Sequence, residues 1–117
     1  EAVGEIVTDD IRSDLGLGEI RGRSEMIAFI RQFLDNCGTT QHLLGNILIE
    51  VDGDRAVSDS YVSDMHVGIG DNEGMQFCTL GNYRDEWRKF DGRWLLHRRS
   101  KDNRATLGSI EALGVQG

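Results

Sequence analysis

The chain has 117 residues, the length of one domain (1–117) with one core. Hydrophobic residues make up 38% and charged residues 28%, which excludes a disordered chain, and a formal net charge of −7 argues against a nucleic-acid footprint. No apolar run reaches the roughly 18 residues that span a bilayer, so no membrane partner is expected.

The start, "EAVGEIVTDD", lacks the basic n-region and long apolar h-region of a signal peptide. It also lacks an initiator methionine, so the N-terminus is either processed or preceded by further residues. Residues 5–15, "EIVTDDIRSDL", read as a short helix end or a strand. The glycine-spaced "LGLGEIRGR" is a loop, with room for a short strand around Ile20. Ser24 to Cys37, "SEMIAFIRQFLDNC", has the helical pattern. Met26, Ile27, Ile30, Phe33 and Leu34 share one face, Ser24 is a suitable N-cap and Gly38 a suitable C′ residue. That apolar stripe is core packing. Cys37 and Cys78 stand in no CxxC or metal-ligand spacing. Two reduced thiols in a cytoplasmic protein are the expectation, a disulfide the alternative.

Beyond Gly38 the pattern changes to strands: residues 42–51, Ala56 to Val67, Met75 to Phe90, and Arg93 to Lys101. "VDGDR" and "FDGRW" are hairpin signals, and "GIGDNEG" is a loop. Fifteen glycines and no proline suit such a turn-rich chain. One helix followed by four meandering antiparallel strands is α+β, with long strands curving and Gly81 a candidate bend or bulge.

The first hairpin brings His42 and His66 close, and register decides whether they co-face. A three-residue turn (Asp52, Gly53, Asp54) puts His42 opposite Asp64, with His66 a diagonal neighbour on the same face. A two-residue Asp-Gly turn pairs His42 with Ser63 and sends the rings to opposite faces. Co-facing imidazoles ionise near neutral pH and suit general acid–base work. Asp64 would orient or charge one ring. Asn46, on the His42 face by alternation, would hydrogen-bond a substrate oxygen. The alternative is two half-exposed histidines bonded to backbone or water. No third ligand stands at a telling spacing, so no metal is expected. On the third strand, Phe77, Thr79, Gly81, Tyr83, Asp85 and Trp87 share a face. The Tyr83 hydroxyl either donates to a carbonyl or enolate oxygen or packs in the core. Trp87 and Trp94 flank the second turn and are expected to pack across that hairpin. His97, beside the basic run "HRRSK", reads as part of a solvated strand end.

"TQHLLGN", "IEVDGDRA", "SYVSDMH" and "GNYRDEWRKFDGRWLLHRR" together resemble the NTF2-like superfamily, and within it the SnoaL-like group that includes scytalone dehydratase. The resemblance runs from about Thr8 to Asn103. It implies a cone: a curved antiparallel sheet wrapped against helices around a pocket. It also implies that His42 and His66 both face that pocket, through the three-residue turn or a bulge of the same effect. One of them is then the main acid/base of a water elimination that needs no cofactor. Tyr83 falls where that group has a substrate-contacting asparagine and Gly81 where it has a nearby serine, so substrate contacts differ. A long first helix carrying an aspartate is also implied, and this sequence begins after its place. Either the helix precedes Glu1, which is the expectation, or the protein lacks it. A further family tyrosine maps near Leu15, with Asp14 beside it.

Two functions follow. The first is a cofactor-independent lyase or isomerase, dehydratase- or cyclase-like, acting on a small cyclic or polyketide-like hydroxyketone. Its partner is a small hydrophobic or aromatic molecule. The second is a non-catalytic NTF2-like binding or assembly module, since the superfold hosts both. Apolar Ile47, Ile49 and Val51, read as the outer face of the sheet, suggest a homo-oligomer, dimer or trimer.

Overall fold

The computed structural model describes residues 2–115. A single helical turn, α1 (Val3–Ile6), leads into β1 (Val7–Asp14), β2 (Glu19–Arg21) and helix α2 (Arg23–Leu34). Four long strands follow: β3 (Thr40–Asp52), β4 (Arg55–Val67), β5 (Gln76–Phe90) and β6 (Arg93–Gly108). They form one six-stranded sheet in the order β2-β1-β6-β5-β4-β3. Every neighbouring pair is antiparallel except β1 and β6, which run parallel. The α+β expectation therefore stands, but the sheet is mixed. Residues 5–15, read as a helix end or a strand, are in fact both in succession.

The last strand runs to Gly108, well past the expected Lys101. Helix α2 also departs from expectation at both ends. Gly22, with φ at 94°, is the N-cap, and Ser24 lies inside the first turn and caps nothing. The helix stops at Leu34 with Asp35 as C-cap. Gly38 instead donates its N–H to the Val67 carbonyl at 2.7 Å, where the chain joins the sheet. Met26 on α2 packs with Val7, Ile11 and Leu96 in the core, and Ile30 and Trp87 close over them. Trp87 faces Leu96 across its hairpin, as expected, and also closes over the core, donating Nε1–H to Ser58 Oγ at 2.9 Å. Trp94 pairs across it too, opposite Lys89, whose ammonium lies 5.8 Å from the ring.

Both hairpins use two-residue turns. Phe90 pairs with Arg93 around Asp91 and Gly92, whose φ values of 48° and 77° are those of a type I′ turn. Asp52 pairs with Arg55, so the first turn is Gly53-Asp54, with positive φ at Gly53. Left alone, this register would place His42 opposite Met65. It does not, because the ladder shifts between Gly45↔Tyr61 and Leu48↔Asp59. Asn46 and Ile47 together face one residue, Ser60. This β-bulge returns His42 to Asp64, as the three-residue turn would have done.

The bulge also inverts the alternation of β3 beyond it. Ile49 and Val51 pair with Ser58 and Ala56, which are buried on the inner sheet face. Their expected place on the outer face is therefore corrected: they lie on the cavity side, yet stay 62% and 64% exposed. A second shift, between Leu80 and Gly81, leaves Arg104 of β6 as the extra residue and makes Gly81 the expected bend.

Candidate active site

A cavity of about 440 Å³ lies between α2 and the inner face of the sheet. Its helix wall is apolar, with Met26, Phe29, Ile30 and Phe33. Phe29 and Phe33 meet edge to face, with ring centroids 5.2 Å apart. The sheet wall is polar, carrying His42, Asp64, His66, Thr79, Arg99 and Lys101. An apolar pocket with a few convergent polar groups, in this size range, is a usual small-molecule site.

His42 and His66 co-face. Their Nε2 atoms are 3.4 Å apart and the rings meet edge to face. His66 is buried, and its Nδ1 lies 3.0 Å from the Phe77 carbonyl oxygen. A carbonyl accepts only, so this nitrogen carries the proton and the Nε2 lone pair of neutral His66 is aimed at His42. His42 Nε2–H then donates to it, leaving His42 Nδ1 as the free base. Loss of water around the His42 ring holds its pKa below the usual 6.5. The Asp64 carboxylate opposes that shift, while the positive charges of Lys101 and Arg99 reinforce it.

Asp64, buried opposite His42, has both oxygens engaged. Oδ1 accepts from the Thr79 hydroxyl and from Thr79 N–H at 3.2 Å, and Oδ2 accepts from Lys101 Nζ at 2.7 Å. Lys101 also donates to Thr79 Oγ1 at 2.8 Å. Burial alone would raise the Asp64 pKa, but these hydrogen bonds and the charges of Lys101 and His42 outweigh it and lower the value. Asp64 therefore stands as a carboxylate beneath the dyad. Arg99 grips Asp85 through Nε at 2.9 Å and Nη2 at 3.0 Å, and its guanidinium carbon lies 3.9 Å from the centre of the Tyr83 ring. Tyr83 is buried against the cavity, which raises its pKa and keeps the hydroxyl a donor.

Two expected site residues lie elsewhere. Asn46 sits on the bulge at φ 52° and lines a groove with Asp59, Tyr61, Asn82 and Arg84. The bulge ends the alternation that would have kept it on the His42 face. Gly81 is overlaid by β6, and any side chain there would run into the Asp102 carbonyl oxygen, so it does not border this cavity. Leu15 does line the cavity, whereas Asp14 accepts the Gly16 N–H at 2.9 Å in a turn. The basic run "HRRSK" is not a solvated end. A ladder shift that leaves His97 as an extra residue between Leu96 and Arg98 turns Arg99 and Lys101 inward, where Asp85 and Asp64 await them, 14 and 37 residues away in the sequence. His97 instead meets Thr8 Oγ1 at 3.1 Å, outside the cavity.

Among the described residues, one group has metal-ligand proximity. Ligand atoms of His42, Asp64 and His66 lie within 4.8 Å of one another, so Asp64 supplies the third ligand that spacing did not reveal. A cation there would have to displace the Lys101 ammonium from Asp64 Oδ2, so the donors offered freely are the two imidazoles. Cys37 and Cys78 are free thiols. Among the described residues, no helix is long and apolar enough to cross a membrane.

A cone of curved sheet and helix around a pocket, with paired histidines on the sheet wall, defines an NTF2-like protein. The SnoaL-like domain model matches residues 1–100, and the chain belongs to that family. An uncharacterized protein of Mycobacterium tuberculosis is 36% identical over 84 residues, 71% of this chain and 56% of that protein. The match thus spans little more than half of the curated relatives' length. A solved Novosphingobium aromaticivorans protein, provisionally named an aromatic ring hydroxylase, superposes with a TM-score of 0.83 at 26% identity. It covers 96% of this chain and 80% of that one. A second protein from that organism, provisionally named a scytalone dehydratase, superposes at 0.79 with 22% identity, covering 91% and 71%.

Proposed function

We propose that the cavity is the active site of a cofactor-independent lyase or isomerase acting on a small cyclic or polyketide-like hydroxyketone. The observation that carries this reading is the His42–His66 contact, 3.4 Å between Nε2 atoms, beside a buried carboxylate and an apolar wall. His42 takes a proton from the carbon next to the carbonyl, and Asp64 steadies the imidazolium that results. The C–H electrons move into the new double bond. A dehydration ends as the leaving hydroxyl departs with a proton returned by the dyad. An isomerisation ends as that proton goes to another carbon. Tyr83 and Asp64 then belong to the substrate-contacting wall. The provisional name of the second Novosphingobium protein fits this chemistry.

The test offers bicyclic β-hydroxyketones to the protein and follows the absorbance of the conjugated product. Exchange of the α-proton in deuterated water is read in parallel. Turnover and exchange that fall at least a hundredfold in His42→Ala and His66→Ala, with the fold intact, support the reading. Wild-type protein that neither exchanges nor eliminates sinks it.

The second reading, a binding or assembly module, draws on β3. This strand is the sheet edge, and Leu48, Ile49 and Val51 are all more than half exposed. An apolar edge of this kind suits a second copy of the chain, and a homo-oligomer is part of either reading.

A further inference from the structure

Arg99 and Lys101 are separated by one residue on β6 and turn to the same face, toward Tyr83. The Arg99 guanidinium carbon lies 3.9 Å from the ring centre and the Lys101 ammonium 6.0 Å. Neither cation is spent. Asp85 occupies Nε and Nη2 of Arg99, which leaves the Nη1 edge of the guanidinium. Asp64 and Thr79 take two of the three Lys101 N–H bonds. Both residues border the cavity, although the Lys101 side chain is only 8% exposed. The ion pairs fix both cations in place and cancel their net charge. What remains is a set of rigid, charge-assisted donors at a weakly solvated wall, facing an apolar one. Such a site has little use for a hydrated inorganic anion. It suits an oxygen whose charge is spread into a flat apolar skeleton seated against Phe29 and Phe33.

We propose that Lys101 and Arg99 form an oxyanion-binding site that takes the enolate or phenolate oxygen of an aromatic or cyclic ligand. Its catalytic use rests on the acid–base reading above. When His42 removes the α-proton, the carbonyl π electrons move onto oxygen, and the third Lys101 N–H donates to the charge as it forms. Binding of a stable phenolate needs no turnover, so the two readings fail separately.

The probe is 4-nitrophenol, whose phenolate form absorbs in the visible range, titrated with protein about one pH unit below its own ionisation midpoint. Its methyl ether, 4-nitroanisole, reports the apolar part of the binding. Wild-type protein is expected to bind nitrophenol as the phenolate, shifting its ionisation by at least about one pH unit, a tenfold preference for the charged form. Lys101→Met is expected to lose that preference while keeping affinity for 4-nitroanisole, and Lys101→Arg to retain it. His42→Gln is also expected to retain it, which separates donation by Lys101 from simple proton capture by the histidine. The wild-type shift is readable without any variant, should Lys101→Met not fold. Nitrophenol that fails to bind, binds as the neutral phenol, or keeps its phenolate preference in folded Lys101→Met overturns the proposal. So does a preference lost in His42→Gln.

Discussion

His42 and His66 bring their Nε2 atoms to 3.4 Å because Asn46 and Ile47 together oppose the single residue Ser60. Asn46 makes the bulge with φ at 52°, in the left-handed region that asparagine tolerates and β-branched residues resist. Asn46→Val is therefore expected to cost about 1–2 kcal/mol in chemical denaturation, whereas Asn46→Gly stays near neutral. The valine variant should also loosen the pairing of His42 with Asp64 and move the His42 titration in NMR toward the ordinary 6.5. Equal midpoints for the two variants would show that the bulge does not depend on this backbone conformation.

The depressed pKa of His42 fixes the pH dependence. A base must be neutral to act, so the acid limb of activity is expected to fall below pH 6.5 rather than at it. The same shift affects stability. The unfolded chain binds the His42 proton more readily than the fold, so stability is lost as pH drops below 6.5. Asp64 has the same sign at lower pH: its contribution is present above the usual carboxyl value of 3.8 and fades as pH falls through the lower folded value. Thermal melts from pH 8 to 3 should show two successive losses. A melting temperature that rises between pH 7 and 5.5 would contradict the His42 assignment.

The four long strands and the helix were legible because period-2 and period-3.6 patterns are local. Those patterns left the facing of His42 and His66 open; the resemblance added the co-facing pair and the pocket. Three things were not local. The pairing of β1 with β6 joins the first and last strands of the chain, and no short-range signal marks it. The bulge depends on which turn closes a hairpin, and "VDGDR" permits two, so Asn46 was sent to the wrong face along with Ile49 and Val51. Lys101 was read as solvated because its counter-charge, Asp64, stands 37 residues earlier on another strand. Alternation from Leu96 would have sent Arg98 and Ser100 inward; the ladder shift that leaves His97 unpaired between Leu96 and Arg98 turns Arg99 and Lys101 inward instead, and no local signal marks it.

The Asp64–Lys101 pair is expected to behave as a buried ion pair, since the two side chains are 6% and 8% exposed. Removing one partner leaves the other charge without its counter-ion. Asp64→Asn should cost about 3–5 kcal/mol in urea denaturation, and Lys101→Met a similar amount. The double variant, with neither charge, should recover part of that loss, because the desolvation cost of both ions disappears. The double-mutant cycle measures the coupling directly. Single variants that cost under about 1 kcal/mol, the range of exposed pairs, would mean that water reaches the pair freely.

The edge strand gives the last expectation. β3 has one hydrogen-bonded neighbour, β4, and beyond the bulge it shows Ile49 and Val51 on one side and Leu48 on the other. An apolar edge with unpaired backbone groups is a template for association unless something covers it. Light scattering on the eluting protein should give a multiple of the chain mass at tens of micromolar. Replacing Ile49 and Val51 together by lysine should shift the mass to one chain, because two charges at an apolar contact cannot be desolvated cheaply. Since both side chains are more than 60% exposed within one chain, the variant should keep its circular dichroism spectrum. A dyad that still exchanges α-protons in the monomeric variant would place the active site within one chain. Exchange lost with the oligomer would mean that the second copy completes the cavity at its β3 side.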